Sequence, residues 1–94
     1  MKRIYYTPHL ELRLELREIP YNLPKNIYQT SKERYFDTET QKLIAVKLVK
    51  YKNKIRELAI IYEETEKEIK LITIHPLKIY QKLSRIKSGR WQKL

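Results

Sequence analysis

Between residues 34 and 75, four runs rich in Val, Ile and Tyr follow one another, joined only by short polar links. These side chains favour the pleated, half-buried surface of a strand, and links of this length suit hairpins. The pattern therefore predicts an antiparallel meander, with strands at residues 34–37, 42–51, 55–63 and 69–75.

The segment before the meander carries two conflicting signals. Every second residue from Leu10 to Leu16 is leucine and the residues between are charged, a period of two that favours a strand. However, Leu, Glu and Arg are good helix formers, and Thr7 followed by Pro8 is a typical helix start. We therefore predict a short strand at residues 3–6, a helix at residues 8–17 and a second short helix at residues 25–29.

The C-terminal segment carries the signals of a third helix. Pro76 stands where this helix can begin and Gly89 where it can end. Its apolar residues share a helical spacing of i, i+4 and i+7, which predicts a stripe packed on the sheet: Ile79, Leu83 and Ile86. Basic residues with the same spacing form a neighbouring row: Lys78, Lys82 and Arg85. The expected architecture is a single α+β domain over residues 1–94.

The composition narrows the classes of function. The chain has no Cys and a single Gly, which excludes thiolate metal sites and glycine-rich phosphate loops, and no His lies in a metal-ligand motif. We expect no metal and no cofactor. No apolar run is long enough to span a membrane or to act as a signal peptide, so we expect a cytoplasmic protein. Abundant Lys, Glu and Ile, with few Asn, Gln and Met, is typical of proteins from hot environments.

The charge points to a polyanionic partner. Lys and Arg number 21 against 11 Asp and Glu, a net charge of +10, and the last twenty residues hold six basic side chains and no acidic one. Such an excess repels itself unless an anion neutralises it, although it also promotes solubility. We expect a nucleic acid, RNA before DNA, rather than a membrane. Five C-terminal residues are the candidate contacts to phosphates and bases: Lys78, Lys82, Arg85, Arg90 and Trp91.

Four residues are candidates for catalysis of RNA cleavage. His9, Arg13 and Arg17 are spaced i, i+4 and i+8, and His75 precedes a proline as His9 follows one. Imidazole can transfer the protons that cleavage by the 2′-hydroxyl requires, and arginine can neutralise the charge that develops on phosphorus. The alternatives are a row of solvated arginines paired with nearby glutamates, and histidines with capping or core roles.

The run from His9 to Ile19 resembles the H-A-x-x-R-x-x-x-R-x-I helix of small RelE-like proteins near the BrnT toxins. It departs from that pattern at two positions: Leu10 replaces the family's alanine, and Glu18 replaces the glycine that precedes the family's isoleucine. This resemblance implies a RelE-like order of elements, a ribonuclease-toxin fold, and an acidic antitoxin-like partner. It assigns His9, Arg13 and Arg17 to the site. The expected function is RNA binding with metal-independent endoribonuclease activity. A non-catalytic nucleic-acid-binding module and a scaffold for an acidic protein are the alternatives, and self-association stays open.

Overall fold

The computed structural model describes residues 2–94, in which three helices and six strands form an α+β fold. In chain order the elements are β1 (Arg3–Tyr6), α1 (Pro8–Leu16), α2 (Leu23–Thr30), β2 (Glu33–Asp37), β3 (Lys42–Tyr51), β4 (Lys54–Glu64), β5 (Glu68–Pro76), α3 (Gln81–Lys87) and β6 (Trp91–Lys93). Within these residues no helix is long and apolar enough to cross a membrane.

One mixed sheet contains all six strands, in the order β1-β5-β4-β3-β2-β6. The antiparallel meander β2 to β5 is confirmed, with bounds close to those predicted. The two edge strands extend it. β1 pairs in parallel with the first half of β5, and β6 pairs antiparallel with β2. Strand β6 was not predicted from the sequence, because three residues are too few for a recognisable period.

Helix α1 forms despite its alternating leucines, as predicted. The Thr7 hydroxyl accepts a hydrogen bond from the Leu10 N–H at 3.1 Å and donates one to the Ile72 carbonyl at 2.8 Å, so the cap also joins the helix to β5. The helical twist divides the leucines between two sides. Leu10 and Leu14 are buried in the core, whereas Leu12 and Leu16 are exposed.

The C-terminal helix differs from the prediction. Pro76 is the last residue of β5, opposite Leu58, and the helix begins five residues later, at Gln81. The strand continues through Pro76 because the next residue still hydrogen-bonds to β4: the Leu77 N–H donates to the Glu57 carbonyl at 2.9 Å. The predicted buried stripe is also wrong: none of the α3 residues is buried, and the side chain of Ile79 is 85% exposed.

The two faces of the sheet are covered unequally. On one face α1 and α2 bury the larger core, formed by Leu10, Leu14, Ile19 and Ile27 against inward residues of β3, β4 and β5. The opposite face carries a smaller cluster that includes Tyr35, Ile44, Ala59, Leu77 and Trp91. We call this second face the open face. Helix α3 is held to it by the Lys82 ammonium, which bridges Glu33 and Glu57 at 2.9 and 2.6 Å.

A buried carboxylate attaches the C-terminal strand. Asp37 accepts hydrogen bonds from the Arg90 guanidinium at 3.1 Å, from the Trp91 indole N–H at 3.3 Å, and from the backbone N–H groups of Glu39 and Thr40. Burial alone would raise the pKa of this carboxyl, but the Arg90 guanidinium and the two backbone donors outweigh it and lower the pKa to about 2. The ionised form of Asp37 therefore stabilises the folded chain.

We predict that Asp37→Asn lowers the free energy of unfolding by about 2 kcal/mol at pH 7, because the depressed pKa represents about that much stabilisation. This contribution is present above pH 3.8, the ordinary value, and is lost as the pH falls through the folded value of about 2. The difference in stability between the Asp37→Asn variant and wild type should therefore shrink in acid. Denaturant unfolding at several pH values measures it.

Glu39→Gln is the matched control, since Glu39 is an exposed carboxylate 3.4 Å from the same guanidinium. Its effect should stay below about 0.5 kcal/mol. Equal stability of Asp37→Asn and wild type at pH 7 would contradict the role given to this carboxylate.

Candidate nucleic-acid interface

The open face contains a cavity of about 270 Å³ between α3, β6 and the strands. Its lining residues are Asp37, Thr40, Lys42, Ile44, Ile61, Thr73, His75, Arg85, Arg90 and Trp91. The strand residues among them lie on one face because alternate side chains of a strand point the same way. The cavity thus combines apolar walls with cations, hydroxyl groups and one imidazole.

His75 brings the imidazole to this cavity. It lies near the end of β5, opposite Ala59, and is half-buried. Burial and the positive charges of Arg13, Arg17 and Arg85 lower the pKa of the His75 imidazole. The imidazole is consequently neutral at pH 7 and can accept a proton.

The arginines that act on His75 come from two helices on different sides of the sheet. Strand β1 pairs with β5 only as far as Leu71, and Thr7 then joins α1 to β5 at Ile72. Helix α1 therefore packs against β5, and the charges of Arg13 and Arg17 act on the imidazole near the strand's end. Arg85 reaches the same point from α3, as a lining residue of the cavity. Within residues 2–94, none of these three arginines forms an ion pair, so their charges are available to an anion.

The carboxylate in the cavity wall does not cancel this charge. Both oxygens of Asp37 are bound to Arg90, and further donors occupy them. Thr73, in contrast, has an Oγ1 that is buried without a hydrogen-bond partner among the described residues. An unsatisfied buried hydroxyl destabilises the folded state, and because this oxygen has almost no accessible surface it does not contact a ligand in the cavity as the fold stands.

The second histidine lies elsewhere. His9 is exposed on the first turn of α1, where it lines a groove of about 170 Å³ with Leu12, Arg13, Leu16 and Arg17. It is not among the residues that line the cavity. Arg13 and Arg17 thus line the groove with His9 and not the cavity, although their charges also act on the His75 imidazole.

Three of the predicted nucleic-acid contacts are engaged within the fold. The Trp91 ring is 4% exposed and stacks on Tyr35 with 5.5 Å between ring centroids, which does not fit the prediction that it stacks on RNA bases. Arg90 is bound to Asp37. Burial works to lower the pKa of Lys82, but its bonds to Glu57 and Glu33 outweigh this and raise the pKa to about 12. Such a tether is unsuited to a free phosphate contact.

The other two predicted contacts remain accessible. Lys78 is exposed on the connection between β5 and α3 and has no ion pair in residues 2–94. Arg85 lines the cavity beside His75. Of the expected row on the C-terminal helix, the first and last cations are thus free to meet a ligand, and the middle one holds the helix.

Six of the ten residues that line the cavity were not predicted as site residues from the sequence, among them Thr73 and Lys42. Thr73 stands two residues before His75 on the same strand, so the period of two places both on one face. That signal could have found it. Lys42 carries no comparable signal, because only the pairing of β3 with its neighbours brings it near β5; its ammonium lies 3.3 Å from Glu63.

No cluster of three His, Asp or Glu side chains that could hold a metal ion occurs in the part of the chain from residue 2 to residue 94. Within the cavity, the groups that can act on a bound anion are the His75 imidazole and the Arg85 guanidinium, and the charges of Arg13 and Arg17 add to theirs.

Comparisons with known proteins give no relative from which the function of this arrangement could be taken: no family model, no curated protein and no solved structure matches the chain.

Proposed function

We propose that the protein binds RNA and cleaves it without a metal ion, with the scissile phosphate in the cavity of the open face. One observation carries this proposal: the charges of Arg13, Arg17 and Arg85 act on a single imidazole, that of His75, in a cavity that opens to solvent. A neutral base that shares a cavity with the Arg85 guanidinium, and that feels the charges of two further arginines, suits a reaction in which a proton is removed while negative charge develops on phosphorus.

Binding rests on the guanidinium groups. Arginine presents a planar set of donors that matches phosphate oxygens, and its charge persists at all physiological pH values. Arg85 lies in the cavity wall, and Arg13 and Arg17 approach from α1. Together they would hold the phosphodiester next to His75, while Asp37 stays neutralised by Arg90 and does not repel it.

The chemical step is transesterification within the RNA. His75 takes the proton of the 2′-hydroxyl, and the 2′-oxygen then forms a bond to phosphorus as the bond from phosphorus to the 5′-oxygen breaks. The departing 5′-oxygen takes a proton from water, so the products are a 2′,3′-cyclic phosphate and a 5′-hydroxyl. The arginines stabilise the additional negative charge of the transition state. DNA lacks the 2′-hydroxyl and would bind without being cleaved.

Two features of the fold support the resemblance to small RelE-like toxins near the BrnT branch. A strand and two helices precede the antiparallel strands, and a helix follows them, which is the order the resemblance implies. Glu18, at the position of that family's glycine, has φ of 54°, in the left-handed region that favours glycine. On this proposal the protein acts in the cytoplasm, and an acidic antitoxin-like protein would complement its charge of +10.

We predict that His75→Gln slows RNA cleavage by about 100-fold or more and leaves RNA affinity nearly unchanged, because a proton-transfer group acts mainly in the transition state. The wild-type rate should rise with pH and level off below the ordinary imidazole value of 6.5, because the pKa of His75 is lowered. In the variant this inflection should vanish. Single-turnover cleavage of labelled RNA, with analysis of its ends, measures both.

His9→Gln provides the comparison for the groove on α1. A loss of rate equal to that of His75→Gln would move the chemistry toward α1. Wild-type protein that binds RNA but cleaves neither free nor ribosome-bound RNA would exclude the enzyme and leave a nucleic-acid-binding module.

We also predict that RNA affinity falls steeply with salt. Four of the cations without an ion pair among residues 2–94, Arg13, Arg17, Lys78 and Arg85, should give a log-log slope of about −3 for a single strand. Arg85→Gln should make the slope less steep by about 0.7, since one phosphate contact is lost. Arg3→Gln, at an exposed arginine on β1, is the control and should leave it unchanged. A slope near zero would contradict the electrostatic part of the proposal.

A further inference from the structure

The open face continues past the cavity toward the turn between β3 and β4, where a groove of about 690 Å³ lies next to the start of α3. Its apolar residues are largely exposed: Leu48 at 61%, Ile55 at 71%, Ile79 at 85% and Tyr80 at 77%. Contiguous apolar surface of this kind marks a contact site in soluble proteins. The groove is therefore a candidate binding site for another molecule.

The charges of the groove identify the chemistry of that occupant. Lys78 lines it from the connection between β5 and α3, whereas its one lining carboxylate, Glu57, is bound to the Lys82 ammonium at 2.6 Å. Lys54 and Arg56 border the groove at positions that alternate along β4 with Ile55 and Glu57. The groove is thus both apolar and cationic. Single-stranded nucleic acid matches this combination, because it presents a row of anionic phosphates beside flat, unpaired bases.

Tyr80 supplies a surface for stacking. Its backbone is in the left-handed region, with φ of 69°, at the point where the chain turns from β5 into α3. Among residues 2–94 its ring contacts neither another aromatic ring nor a cation. The same ring also lines a hollow of about 530 Å³ along α3, so it stands between that hollow and the groove.

We propose that this groove is a second RNA-binding surface, which holds a single-stranded segment of the same RNA whose scissile phosphate lies beside His75. This inference rests on the proposed function and specifies its substrate as unpaired RNA several nucleotides long. The strand runs along α3, from the cavity with Arg85 to a base stacked on Tyr80 and a phosphate at Lys78. A duplex does not fit, because its bases are not free to stack.

The test compares oligouridylates of about 12 and about 4 nucleotides, lengths that span and do not span both surfaces. Tyr80→Ala and Tyr80→Leu should each weaken binding of the longer strand about 10-fold, the effect of losing one stacked base, and leave the shorter strand unaffected. Tyr80→Phe should bind like wild type. Fluorescence anisotropy at fixed salt gives the affinities. Tyr21→Ala, at an exposed tyrosine beside Tyr6, is the control.

Each outcome decides between occupants. Two results would overturn the second surface while leaving the cavity intact: affinity for the longer strand that is unchanged in Tyr80→Ala and Tyr80→Leu, or affinity that falls equally for both lengths.

Affinity retained by Tyr80→Leu but lost in Tyr80→Ala would indicate a general apolar contact. Binding of an acidic amphipathic peptide of alternating Glu and Leu would then assign the groove to a protein. The expected Tyr80 effect without cleavage of either strand would reject the proposed enzyme and support this surface. No binding of either strand would reject both.

Discussion

The structure depends on an imbalance between the two faces of its sheet. Only α1 and α2 bury apolar side chains against the strands, and both pack on the same face. The other face is left with α3, which buries none of its residues and is fixed by the Lys82 bridge to Glu33 and Glu57 and by the connection to β6. Because α3 lies on this face without sealing it, the cavity and the groove remain open beside it. The candidate function follows from this incomplete cover.

The acidic residues explain which cations remain free. Asp37 and Glu57 each bind a basic side chain of the C-terminal segment, Arg90 and Lys82, and so use these charges to attach that segment to the sheet. Because each pair joins residues far apart in the chain, it fixes where the segment lies. Among the cations left without ion pairs in residues 2–94, Arg85 lies beside His75 in the cavity and Lys78 lies beside Tyr80 in the groove.

The sequence predicted the elements that depend on local signals. The Thr7 cap indicated that α1 is a helix, although its alternating leucines favoured a strand. The runs of strand-forming residues indicated the meander. Prediction failed where tertiary pairing decides. Pro76 resembles a helix start but completes β5, since the sheet still has partners for the backbone there. Likewise, the sequence shows that Arg13 and Arg17 share one side of α1, but their position relative to His75 depends on where the pairing of β1 with β5 ends. The burial of Trp91 depends on Asp37, 54 residues away in the chain.

Arginines from α1 and α3 act on one neutral imidazole, and titration of the His75 ring followed by NMR tests this central claim most directly. We expect a pKa below 6.5 that rises in Arg13→Gln and in Arg85→Gln, because each variant removes a charge that disfavours the imidazolium, and that does not move in Arg3→Gln. A His75 pKa at or above 6.5, or one insensitive to both arginine variants, would contradict the claim.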